Sequence, residues 1–191
     1  MTDPHSAEEI AAALRAVHEE SVEYWRTFET PAFLAPIGSA WSPANNVRHL
    51  TKSVRAVSKG LRLPRWVLWL AFRGGSGTSR TYTEIRETYR ARLARGATAG
   101  RFAPAPHPPA DDAAAERTHV MMRHANAVDE LVGLVGRWPE TALDRRRLPH
   151  PLLGLLSVRE MLLFTVYHNR HHVEGVRRRM AGRGGLAPGI T

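Results

Sequence analysis

The chain has 191 residues, 43% of them hydrophobic, enough for one domain with a full core. It has no cysteine, which excludes disulfides and thiolate ligands, so any metal must be held by His, Asp or Glu. The formal charge of +9 is almost all arginine, and clusters such as Arg145–Arg147 and Arg177–Arg179 lack interleaved aromatics, so it does not make a nucleic-acid footprint.

The N-terminus, MTDPHSAEEI, is acidic and polar, unlike a secretory signal. Ser6 with Glu9 three residues on forms a capping box that opens a first helix. Its apolar stripe is Ile10, Leu14, Val17, Val22 and Trp25, and it ends before Pro31. After the loop APIGSAWSPANN, Ser42 caps a second helix with Pro43 at its first position and Val47, Leu50, Val54 and Val57 on one side. Residues 61–77 then form an inserted hydrophobic segment, a short helix ended by Gly74 and Gly75. Pro64 and Arg65 interrupt this longest apolar cluster, which falls far short of the roughly 20 residues that span a bilayer.

SRTYTEIRETYRARLARG is a weaker amphipathic helix, and RFAPAPHPPADD is a proline-rich loop. A third principal helix starts near Asp111 or Asp112 and runs to Pro139. The stretch PETALDRRRLPHPLLGLL reads as a long irregular connection, with no strand-period alternation of useful length. The last helix runs from about Ser157 to Met180, and residues 182–191 are expected to be a disordered tail. Four principal helices joined by variable loops specify an all-α four-helix bundle, a single domain over residues 1–181, in a cytoplasmic protein without a membrane or nucleic-acid partner.

The last helix carries YHNRHH. His168 and His172 are four apart, so their imidazoles lie about 40° apart on one face and can reach one ion. His171 points about 60° to the other side of His168. A catalytic zinc-type site wants a third protein ligand. His49 sits in the apolar stripe of the second helix and is the candidate; His124 on the third helix is the substitute that spacing alone leaves open. His5, His107 and His150, in loops beside prolines, receive no role.

WSPANNVRHL followed much later by LLFTVYHNRHH resembles the DinB/YfiT-like family of metal-dependent enzymes. That family has a Trp-Ser/Thr-Pro lead-in to its second helix, one His about two turns in, and an HxxHH pattern on its last helix. Here these are Trp41-Ser42-Pro43, His49, and His168, His171 and His172. The resemblance covers nearly the whole chain. It implies an up-down-down-up bundle and a metal site made by His49, His168 and His172. It also implies a thiol-dependent S-transferase or hydrolase acting on a small molecule, with a low-molecular-weight thiol such as bacillithiol, mycothiol or glutathione. The Arg- and Ala-rich composition of GC-rich coding favours mycothiol.

Three neutral imidazoles suit zinc, nickel or iron, and ligand type does not choose among them. No HExxH is present, so no peptidase-like base is built in, and Glu174 lies about 200° round from His172. The other class of function is a non-catalytic metal- or ligand-binding stress-response bundle. For substrate contacts the sequence offers Asn46, three residues before His49, and Thr165, one turn before His168. Trp66 and Trp69 in the insertion would form a hydrophobic lid; the competing roles for that segment are a cover over exposed core or a homodimer contact.

Overall fold

The computed structural model describes residues 3–73, 78–105 and 111–184. Helix α1 (Ala7–Arg26) opens with the Ser6–Glu9 capping box, each side chain accepting from the other's backbone N–H. After the short α2 (Thr30–Leu34), α3 (Pro43–Arg62) starts where Ser42 Oγ accepts from the Asn45 N–H at 3.0 Å. The insertion forms α4 (Arg65–Ala71), and Thr81 and Glu84 box the start of α5 (Tyr82–Ala94). The expected terminators Gly74 and Gly75 lie outside the described residues. A 3-10 turn, Gly100–Phe102, precedes α6 (Ala113–Val135), which Asp112 caps.

The connection before the last helix is more ordered than its sequence suggests. It holds α7 (Glu140–Arg145) and an antiparallel hairpin of β1 (Arg147–His150) and β2 (Gly154–Ser157). Each strand has four residues, too few for a period of two to stand out, and Pro149 argues against a strand except at an edge. Gly154, at φ 75°, makes the turn. Helix α8 (Val158–Gly184) follows at once, and Ser157 and Glu160 form a third capping box. The helix extends past the expected end at Met180; residues 185–191 lie outside the described residues.

Side-chain contacts fix the bundle's directions. Arg159 bonds the His5 carbonyl, Arg170 pairs with Glu20 and Arg177 covers Tyr24, so α1 and α8 run parallel. Arg48 with Glu116, Thr51 with His124 and Arg62 with Glu130 make α3 and α6 parallel. His49 meets His168 while Asn46 meets His172, so α3 and α8 are antiparallel. Arg117 at the Trp25 carbonyl and His124 beside His18 make α1 and α6 antiparallel. The order round the bundle is α1–α6–α3–α8, an up-down-down-up arrangement. No helix among the described residues is long and apolar enough to cross a membrane.

Helix α8 is the axis of the molecule. Every residue from 156 to 169 is buried, because α1, α3, α5, α7 and the hairpin all pack around it. That explains why MLLFTV has no polar face. The two charges in its first turn are neutralised in place. Arg159 is held by Asp144 (2.7 Å) and Glu140 (3.0 Å), and Glu160 by Arg80 (2.8 Å) and the Ser157 N–H (2.9 Å). The ordered first half carries His168 to the bundle centre, and His172 sits one turn on at its edge.

Candidate metal centre

Helices α3 and α8 bring three histidines to one point. His49 Nε2 and His172 Nε2 each lie 3.1 Å from His168 Nε2, and the three ligand nitrogens all fall within 4.8 Å of one another. His49 and His168 are buried, and His172 is half-buried. Three imidazoles holding one ion at about 2.0–2.1 Å in a tetrahedral arrangement would set their nitrogens about 3.3 Å apart, so the spacing is that of a ligand set.

The hydrogen bonds on the far side of two rings settle their protonation. His49 Nδ1 lies 2.8 Å from the Phe102 carbonyl, which can only accept, so the ring donates from Nδ1 and leaves Nε2 a lone pair. His172 Nδ1 lies 2.7 Å from Asn46 Oδ1. The Asn46 orientation is fixed in turn, because its Nδ2 donates to the Ser42 carbonyl at 2.9 Å. His172 therefore also turns an Nε2 lone pair inward. Two inward lone pairs face one His168 nitrogen, which carries at most one proton and can satisfy only one of them. A cation at the meeting point satisfies all three, so the residues present fit a divalent ion. Burial holds the pKa of all three histidines below the ordinary value, His168 and His172 far below it, with repulsion from neighbouring histidines adding to burial at those two and Lys52 adding to it at His49. They are kept in the neutral form that ligates metal.

A cavity of about 280 Å³ opens beside His49 and His168. Its walls are mainly apolar: Val57, Leu63, Phe72, Leu148, Met161 and Phe164 among them. Tyr89, from α5, contributes a phenol whose pKa burial pushes up to about 12, so it stays protonated. His150, in the hairpin, also lines it.

Of the other residues singled out from sequence, Thr165 lines the cavity, its hydroxyl proton donated to the Met161 carbonyl at 2.8 Å. Asn46 orients His172 and has its amide committed on both ends. Trp41 lies parallel to the His172 ring, centroids 6.3 Å apart, and walls that side. Trp66 and Trp69 are 67% and 53% exposed and do not line the cavity; Phe72 of the same segment does. His124 lies apart, fully buried against His18 (ring centroids 5.3 Å), with its pKa pushed down to about 3 by burial and by His18. His171 faces away from the three, its Nδ1 3.4 Å from the Tyr167 hydroxyl. Two contributors carry no sequence signal: the Phe102 carbonyl, a backbone atom in a proline-rich loop, and His150, which acts from a hairpin too short to show a strand period.

Against known families, residues 31–175 match the DinB superfamily. Among solved structures, the chain is similar to the one described as TT2238, a four-helix bundle protein. The TM-score is 0.56 at 17% identity, covering 91% of this chain and 99% of that one, which is a likeness of fold. No curated protein matches the chain significantly.

Proposed function

The chain belongs to the DinB superfamily, and from that and the geometry we propose that it is a metal-dependent enzyme, a thiol-dependent S-transferase or a hydrolase acting on a small molecule. The observation that carries the reading is the convergence of His49, His168 and His172 through Nε2, with two tautomers locked by Phe102 and Asn46. Three protein ligands leave positions open on a divalent ion. Such an ion supplies Lewis-acid activation of an oxygen or sulfur group. Zinc, nickel and iron all suit the three imidazoles, and the thiol partner is a low-molecular-weight one such as mycothiol.

The protein's own part is to hold and dry the site. Asn46 and the Phe102 carbonyl orient two ligands, Trp41 screens the His172 side, and the apolar cavity takes the body of the substrate next to His49 and His168. The cavity favours catalysis over a closed, purely storing shell, because it gives a small molecule a place against the ligands. The test is zinc-loaded protein with mycothiol, bacillithiol or glutathione and a chlorodinitrobenzene, and separately with a nitrophenyl ester. Turnover that His168→Ala abolishes supports the reading. A fully metal-loaded protein that accelerates neither reaction points instead to the non-catalytic stress-response bundle.

A further inference from the structure

The hairpin before α8 places a polar group in the cavity whose partner is missing. His150 Nδ1 lies 3.1 Å from the N–H groups of both Leu152 and Leu153. Both are donors, so Nδ1 is the acceptor and carries no proton, and the neutral ring must hold its proton on Nε2. That Nε2–H has no partner among the described residues, and the ring lines the cavity. Burial lowers the His150 pKa to about 4, so near neutral pH the ring is an uncharged donor.

The place of this donor relative to the metal ligands is also defined. The His150 ring meets Phe164 edge to face at 4.4 Å, and Phe164 stacks on His168 at 4.9 Å with an interplanar angle of 25°. His150 and His168 are thus separated by one phenyl ring along the same wall. A ligand in this cavity has an apolar surface beside it at Phe164, an N–H donor from His150, and His49 and His168 among the lining residues. At about 280 Å³ the cavity is at the small end of ligand pockets, which run from about 300 to 1,000 Å³. In metal-free protein an anion is disfavoured, because the walls are mainly apolar, the donor carries no charge, and the Arg101 guanidinium that also lines the cavity belongs to an exposed residue.

We propose that His150 is the positioning residue of the substrate cavity, donating from Nε2 to the carbonyl oxygen of a small, uncharged, largely apolar compound. The inference rests on the cavity being the substrate site of the enzyme proposed above. A donor on the wall of a mainly apolar cavity, left unpaired by the wrong ligand, is what gives such a site its preference for an acceptor.

Three probes of one shape test it: acetophenone, α-methylstyrene, in which a methylene replaces the carbonyl oxygen, and benzoate. Affinities are measured by ligand-detected NMR on metal-free and zinc-loaded protein. In metal-free protein the expected result is acetophenone binding roughly three- to tenfold tighter than α-methylstyrene, the worth of one hydrogen bond, with benzoate the weakest. His150→Asn keeps a side-chain oxygen to accept the Leu152 and Leu153 N–H groups but withdraws the donor from the cavity. It should retain the wild-type melting temperature and zinc stoichiometry and lose the preference for acetophenone. His150→Phe, checked for folding by circular dichroism, should lose it too. The proposal is overturned if folded His150→Asn keeps the preference, if nitrogen NMR of the ring puts the proton on Nδ1, or if no probe binds the wild type. Failure of the metal reading looks different: the wild type would not take up zinc, while the carbonyl preference would survive in metal-free protein.

Discussion

Asn46→Ala removes the acceptor behind His172 without touching a ligand. In the wild type the Asn46 Oδ1 to His172 Nδ1 bond is 2.7 Å, and the Ser42 carbonyl holds the amide in that orientation. Without the acceptor, His172 has two options. It can keep its proton on Nδ1 as an unpaired buried donor, at about 1–3 kcal/mol. Otherwise it can move the proton to Nε2 and cease to be a ligand in that tautomer. Loss of such an outer partner lowers metal affinity by about 10- to 100-fold, which is about 1.4–2.7 kcal/mol. The assay is competition for zinc against a chromophoric chelator near neutral pH. Asn45→Ala is the control, because Asn45 accepts from Arg48 at 2.8 Å and touches none of the three histidines. Asn46→Asp keeps an acceptor for His172 but sets a carboxylate oxygen against the Ser42 carbonyl, so it should retain more zinc affinity than Asn46→Ala while lowering the melting temperature. Wild-type zinc affinity in Asn46→Ala would refute the argument that this hydrogen bond sets the ligand tautomer.

Three further outcomes rest on the packing of the core and the cavity. His124 has a folded pKa near 3 against an ordinary 6.5, so as pH falls the unfolded chain takes the proton first; its contribution is complete above about 6.5 and lost progressively down to about 3. Urea titrations of metal-free protein should show His124→Leu losing about 2 kcal/mol less than wild type between about pH 7 and about pH 5, and equal losses would count against it. Gly60→Ala brings a Cβ to 2.6 Å from Leu148 Cδ2, so that cavity-lining side chain must move. Helix propensity offsets most of the overpacking, about 1 kcal/mol each way, and probe affinity should change while the melting temperature barely moves. Phe72→Ala should weaken acetophenone binding, whereas Trp66→Ala with Trp69→Ala should not; the reverse ranking would restore a lid of tryptophans.

The bundle was legible because its helices announce their starts. Ser6–Glu9, Ser42–Pro43 and Asp112 are local capping signals that need no tertiary context, and each stands where its helix begins. The hairpin was not, since Arg147–His150 and Gly154–Ser157 are pinned mainly by packing on α8. The i, i+4 pair on the last helix puts two rings on one face from geometry alone. Spacing alone leaves His124 open beside His49; the family resemblance selects His49, and the antiparallel crossing of α3 and α8 is what sends it to His168 while His124 packs against His18. The parts of the site that orient and shape it were hidden for a physical reason. Phe102 acts through a carbonyl, which every residue has, and His150 acts from a turn whose form depends on the hairpin.

The most direct test of the central claim is the metal content of purified, zinc-reconstituted protein by elemental analysis, wild type beside His168→Ala. His168 is the nitrogen that both other ligands approach at 3.1 Å, so its removal breaks the set while the aliphatic core holds the bundle at a cost of about 1–2 kcal/mol. The account predicts one zinc per wild-type chain and none in a His168→Ala variant that circular dichroism shows to be folded. A wild type that takes up no metal, or a variant that keeps its zinc, would contradict it.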